Sequence, residues 1–191
     1  DDPDGSMQLA LEAADRALAL DPGSAQGLML KGTVEVKLGL DTDGIDKCRR
    51  AVSLAPNDTF AKIALARTLT NLGELAEAEW LLREAMRLNP YCPIYYFGIL
   101  ANVLEMWGRD EEAMALLRRA LAQNQDYFSG HLRLASLLGL AGRLDEAKQH
   151  AAEARRINPR FRPRLLAAYY PTKNQAVLQR FVSGLETAGI A

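Results

Sequence analysis

A chain of 191 residues is long enough to bury roughly 70% of the surface its unfolded form exposes, so core size excludes no globular class. The composition, 49% hydrophobic and 25% charged but only 7% aromatic, fits an Ala/Leu-rich helical protein and speaks against a β-sandwich, which needs β-branched and aromatic residues. The net charge of −1 excludes a general pull toward nucleic acid.

Residues 1–6 read as an acidic linker. The chain opens Asp-Asp-Pro-Asp-Gly-Ser without an initiator methionine, from which we expect a piece of a larger protein. Residues 7–20 then read as a single helix, with the small pair Ala10/Ala14 on one face and Asp21-Pro22 at its end. Proline disfavours helical geometry at the residue before it, so the stop falls there.

The same unit then returns. Helix pairs are expected at 25–38/42–54, 59–72/75–88, 94–107/110–123 and 128–141/144–157. The small-residue pair recurs as Gly44/Cys48, Ala78/Leu82, Ala113/Leu117 and Ala147/Ala151. The terminators are Pro22, Pro56, Pro90, Gln125 and Pro159, at intervals of 34, 34, 35 and 34 residues. A fixed period of this length predicts stacked helix–turn–helix units in place of one closed core. The extra residue is expected in the loop Tyr91-Cys92-Pro93, where an insertion is tolerated.

Each recurring column has a packing reason. Gly32, Ala66, Ala101 and Ala135 let a first helix approach its own second helix, and Ala78, Ala113 and Ala147 answer from the other side. Ala17, Ala51, Ala85, Ala120 and Ala154 serve the contact with the next unit. Gly39, Gly73, Gly108 and Gly142 are placed to end the first helices in a left-handed cap. After Pro159 the period stops. Residues 161–168 can form a short helix, Tyr169-Tyr170-Pro171 breaks it, and Thr172 with Gln175 suggests a capping box. Leu178, Phe181, Val182 and Leu185 mark one face of a last helix closed by Gly189, a C-terminal cap for the stack.

These columns resemble the tetratricopeptide repeat family over about residues 7–159, with a half repeat 7–22, repeats 25–56, 59–90, 94–125 and 128–159, and a capping segment 160–191. No tryptophan heads any copy, and Gly44 stands where alanine is usual. The resemblance implies an all-α fold, a right-handed superhelix of antiparallel helix pairs (an α-solenoid), and a non-catalytic protein–protein interaction role.

Candidate chemistry is sparse. Asp41, Asp43 and Asp46 lack the order of an EF-hand loop and read as an inter-helix turn. His131 and His150, the only histidines, fall in different helices and read as packing residues. No nucleophile elbow, phosphate loop or zinc motif occurs, so no enzyme, cofactor or metal is expected. Arg160, Arg162 and Arg164 before Tyr169 and Tyr170 are too few for nucleic acid. Cys48 and Cys92 suggest neither disulfide nor zinc, no apolar run of about 18 residues is present, and no signal peptide opens the chain. A cytoplasmic protein without a membrane partner is expected.

The binding surface is expected on the first helices. Its central column is Thr33, Arg67, Asn102 and Ser136. One turn later come Lys37, Asn71, Met106 and Leu140, one turn earlier Met29, Ile63, Gly98 and Leu132, with Tyr95 and Glu105 flanking. Polar anchors among apolar positions suit an extended peptide or a partner helix. Some family members grip a C-terminal carboxylate with lysine, arginine and asparagine, and Lys37, Arg67, Asn71 and Asn102 are the counterparts here. The charge is uneven as well: residues 1–21 hold six acids and one arginine, while 160–191 hold five bases and one acid. Opposite ends allow head-to-tail contacts, so a homo-oligomer is the alternative role, with helix 7–20 as its contact.

A second resemblance lies in the C-terminal half. Trp107-Gly108-Arg109-Asp110-Glu111-Glu112-Ala113, Ala141-Gly142-Arg143-Leu144-Asp145-Glu146-Ala147 and Ile157-Asn158-Pro159-Arg160-Phe161 precede Leu178, Leu185 and Ala188-Gly189-Ile190. The arrangement looks like the tetratricopeptide region that follows a class III adenylate/guanylate cyclase domain, or a DNA-binding regulator domain, in bacterial signalling proteins. It implies a parent protein and no activity of this chain.

Overall fold

The computed structural model describes residues 3–162 and 175–190. All regular structure among them is helical: α1 (Pro3–Leu20), α2 (Ala25–Lys37), α3 (Asp41–Leu54), α4 (Thr59–Leu72), α5 (Leu75–Leu88), α6 (Tyr95–Met106), α7 (Asp110–Gln123), α8 (Phe128–Leu140), α9 (Leu144–Ile157) and α10 (Gln175–Thr187). The paired helices lie within one residue of the bounds expected from the period. The chain forms two compact units, 1–92 and 93–191, and the division falls in the loop carrying the one-residue excess.

In the first unit α1 packs on α2, α2 on α3 and α4, α3 on α4, and α4 on α5. The starts of α2 and α4 are set by side chains that answer the free amides of a first turn. The Ser24 hydroxyl accepts from Gly27 N at 3.2 Å, and Asp58 accepts from Phe60 N and Ala61 N at 2.9 and 3.2 Å. Helix ends follow the predicted glycines: Gly73 caps α4 at φ +82°, a left-handed conformation that L side chains adopt only with strain. Gly39, Gly108 and Gly142 share it.

Two expectations are corrected in this unit. Residues 3–6, assigned to a linker, belong to α1. Asp41, Asp43 and Asp46, assigned to a turn, form the first turns of α3, where acids complement the positive end of the helix dipole. Gly44 also proves to be a fitted residue instead of a degraded one. A Cβ on Gly32 would stand 2.4 Å from the Gly44 carbonyl oxygen, and a Cβ on Gly44 would stand 2.6 Å from that of Gly32. The α2/α3 crossing therefore brings backbone against backbone, and alanine at either position forces the helices apart.

In the second unit α6 packs on α7, α7 on α8, α8 on α9, and α10 on α8. The small-residue columns of both units sit at the helix crossings: Ala66, Ala78, Ala101, Ala113, Ala135 and Ala147 are all fully buried. Leucines fill the layers between them, among them Leu65, Leu69 and Leu82 in the first unit and Leu104, Leu117 and Leu134 in the second. Burying one such side chain is worth about 2 kcal/mol relative to leaving it in water. Of the helix expected at 161–168, Phe161 and Arg162 are described and not helical; its remainder, with Arg164, the break at Tyr169-Tyr170-Pro171 and the Thr172 capping box, lies outside the described residues.

Candidate binding surface

Residues four apart share a helix face, so α2 presents Met29, Thr33 and Lys37 in one row and α4 presents Ile63, Arg67 and Asn71 in the equivalent row. The two helices pack together. Met29 and Ile63 are buried and make a floor, while Lys37, Arg67 and Asn71 are exposed. Thr33 is half-buried and turns its hydroxyl inward, donating to the Met29 carbonyl at 2.8 Å. The exposed set is thus two cations and one amide, a combination that recognises carboxylates. Lys31, on another side of α2, pairs with Asp15 of α1 at 2.6 Å; that hydrogen bond raises its already high pKa.

The equivalent face of the second unit is built differently. Tyr95 is exposed and stacks edge-on against Tyr96, with ring centroids 4.9 Å apart. Asn102 is half-buried. The position of Gly98, expected on the groove one turn before the central column, holds the Tyr127 ring, whose hydroxyl would lie 2.2 Å from a Cβ there. Ser136 is only 2% exposed and donates its hydroxyl to the Phe181 carbonyl of α10 at 2.9 Å. Glu105 is covered too. One nitrogen of Arg133 forks to both of its carboxylate oxygens at 2.9 Å, and the two side chains are 8% and 7% exposed. Burial pushes the Glu105 carboxyl above the usual carboxylate range in spite of the guanidinium.

Sequence reasoning missed Arg133, Arg180 and Asp110. Arg180 of α10 forms an ion pair with Asp110 at the start of α7, and Arg133 lies 5.5 Å from the centroid of the Phe181 ring. No repeat column marks them: Asp110 and Arg133 meet Arg180 and Phe181 of α10, which lies outside the period, and the Arg133–Glu105 pair joins α8 to α6 at positions that do not recur.

The histidines also meet. His131 Nδ1 stands 2.9 Å from His150 Nδ1, and His131 Nε2 stands 2.8 Å from the Gln125 carbonyl oxygen. A carbonyl only accepts, so Nε2 carries the proton, and in the neutral pair His150 Nδ1–H donates to His131 Nδ1. Burial, then the charge His131 would carry, lowers the His150 pKa to about 4. Among the described residues no three histidine, cysteine or acidic side chains form a metal-binding group. Cys48 and Cys92 are free and buried, and burial raises both thiol pKa values. No helix among the described residues is long and apolar enough to cross a membrane.

Comparison with known proteins follows the same lines. One model of the tetratricopeptide repeat matches residues 5–59, and another matches 96–162. A segment of 75 residues is 36% identical to the antiviral innate immune response effector IFIT1 of Macaca fascicularis. It spans 39% of this chain and 16% of that protein, so the likeness is to a part of it. Among solved structures, a thermophilic tetratricopeptide protein of Thermus thermophilus, TTC0263, superposes with a TM-score of 0.69 at 25% identity over 95% of this chain and 92% of that one. PilW, a type IV pilus biogenesis factor, gives 0.76 at 18% identity over 96% and 81%. YrrB, described as a tetratricopeptide protein with an unusual peptide-binding site, gives 0.64 at 17% identity over 94% of each chain. Period, glycine caps, buried alanine columns and matched segments agree, and the chain belongs to the tetratricopeptide repeat family.

Proposed function

We propose that this chain is a non-catalytic interaction module that binds a peptide or partner protein on the first-helix faces of its repeats. The observation that carries the reading is the α2/α4 face, where exposed Lys37, Arg67 and Asn71 stand over the apolar floor of Met29 and Ile63. Cations and an amide over an apolar floor suit an extended segment with an acidic group, a side-chain or terminal carboxylate, anchored by charge-assisted hydrogen bonds. Tyr95, Asn102, Glu105 and Ser136 belong to the second unit's version of the face. YrrB, which shares the fold, is a peptide binder by description.

The test is a display selection of short peptides against the native chain, with Lys37→Glu/Arg67→Glu as counter-probe. Selected peptides should carry an acidic residue and lose about tenfold or more in affinity on the variant, since each lost charge-assisted contact is worth about 1.5–3 kcal/mol. Equal affinity for both proteins removes the reading.

Self-association is the second reading. It is favoured by Leu9 and Leu20 of α1, which are 68% and 90% exposed. Light scattering at high concentration decides it, since a strictly monomeric chain ends the idea. The finer reading places the module in the C-terminal regulatory part of a bacterial, cytoplasmic, cyclase-like signalling protein, and rests on the C-terminal motifs alone. The coding sequence upstream of Asp1 tests it: a cyclase or DNA-binding domain there supports it, and any other domain removes it.

A further inference from the structure

The helix α10 packs on α8 and lies over the first-helix face of the second unit, and the fit is uneven along its length. Its C-terminal half is closely seated. A Cβ on Gly184 would stand 2.3 Å from the Ser136 carbonyl oxygen, and one on Gly139 would stand 2.3 Å from that of Gly184. Phe181, Leu185, Ala188 and Ile190 are buried. The N-terminal half leaves a pocket of about 160 Å³ between Ala176, Val177 and Arg180 on one side and Glu105, Met106 and Leu140 on the other. The pocket opens to solvent, with Ala176 and Leu140 exposed at its edge, so small Ala176 and Val177 leave apolar surface of α6 and α8 uncovered at this end.

The polar contacts are incomplete at the same end. Arg180 reaches Asp110 Oδ2, while Asp110 Oδ1 is buried with no hydrogen-bond partner among the described residues. A buried acceptor without a donor forfeits the hydrogen bond that water gives it in the unfolded chain. Beneath lies the Glu105–Arg133 pair, whose burial under α10 carries a desolvation penalty that an apolar interface would avoid. A helix that served only to close the stack has no need of a charged pair and an orphan acceptor beneath it and an open apolar groove beside it.

We propose that the α6/α8 face is a docking site for a partner's amphipathic helix, and that α10 occupies it as an internal stand-in. The partner helix keeps the Arg180, Phe181 and Gly184 pattern, carries a larger apolar residue where α10 has Val177, and brings one more N–H donor for Asp110. The proposal deepens the interaction-module reading and rests on it, with a site that shares no residue with the Lys37/Arg67 face. A tethered helix competes at an effective concentration of about millimolar, so a free helix of the same sequence does not displace it at micromolar concentration. A better-filled helix, or a weakened α10, changes that.

The probes are labelled peptides of sequence 175–190, native and with Val177→Phe, titrated into the full chain by fluorescence anisotropy. The native chain should ignore the native peptide and bind the Val177→Phe peptide more tightly by about tenfold. The Gly184→Val chain, whose own α10 no longer fits against Ser136, should bind both peptides, and Asp110→Ala added to it should weaken them. Lys37→Glu/Arg67→Glu should leave these affinities unchanged, which separates this outcome from failure of the first-unit face. If hydrogen exchange shows α10 released in folded Gly184→Val and the peptides still bind no better than to the native chain, the proposal is overturned. Should Gly184→Val not fold, hydrogen exchange of the native chain decides. Amides of 177–187 exchanging well before those of α8 support it, and equal protection overturns it.

Discussion

Among the described residues each unit has one place where two helix backbones touch through glycines, and the two places do different things. In the first unit Gly32 and Gly44 join α2 to α3, the two halves of one repeat. In the second, Gly139 and Gly184 join α8 to α10, a helix outside the repeat. The same device builds a repeat in one case and covers a repeat's outward face in the other. The consequence is chemical: Lys37, Arg67 and Asn71 meet solvent, whereas Ser136 and Glu105 are covered, engaged with Phe181 and Arg133.

The contrast breaks most severely at the first crossing. Gly32→Val drives a side chain into the Gly44 carbonyl and the Cys48 sulfur, and overpacking against backbone should cost about 3 kcal/mol. Thermal melts followed by circular dichroism should show the first unit lost. Gly184→Val should instead melt α10 alone, with helix loss confined to about one helix. Equal loss in the two variants would mean that the crossings are alike.

Next comes the pair beneath α10. Arg133→Met strands the Glu105 carboxylate and should cost about 3 kcal/mol by denaturant unfolding. Adding Glu105→Gln removes the stranded charge and should return the chain to within about 1 kcal/mol of native. If the double variant is as unstable as the single, the cost lies in packing and the buried pair is not its source.

The histidine contact gives a smaller, pH-dependent effect. His150 is harder to protonate in the folded chain, pKa about 4 against an ordinary 6.5. Above pH 6.5 it is neutral folded or unfolded and contributes nothing; as pH falls from 6.5 toward 4 the unfolded chain takes up the proton first, and stability declines. His150→Gln should flatten that part of a melting-temperature profile, and an unchanged slope would assign the decline to other groups. The smallest effect belongs to Arg49, which reaches Glu74 and Glu77 on an exposed side of the first unit at 2.9 and 2.6 Å. Arg49→Ala should cost about 0.5 kcal/mol in urea unfolding, and less at high salt. A loss several times larger would show that the network organises the unit.

The repeat architecture was legible because it obeys a period. Proline and glycine punctuation set the helix ends, and alanines spaced by that period marked the crossings. The candidate site was legible only in part. Spacing gives Thr33, Arg67, Asn102 and Ser136 the same position in successive repeats, but it says nothing of what lies on that position. Tyr127 filling the space at Gly98 and α10 covering Ser136 come from residues outside the pattern, whose direction is set by packing alone. The His131–His150 contact was hidden for a related reason: each residue looked ordinary in its own helix, and only the pairing of α8 with α9 brings the rings together.

The contrast between an open and a covered face is tested most directly by thiol reactivity. Asn71→Cys and Ser136→Cys, each in the full chain with buried Cys48 and Cys92 as internal references, are treated with a chromogenic disulfide reagent under native conditions. The cysteine at 71 should react at the rate of an exposed thiol. The one at 136 should react slower by about tenfold or more, since it waits for α10 to open. Equal rates at the two positions would contradict the account.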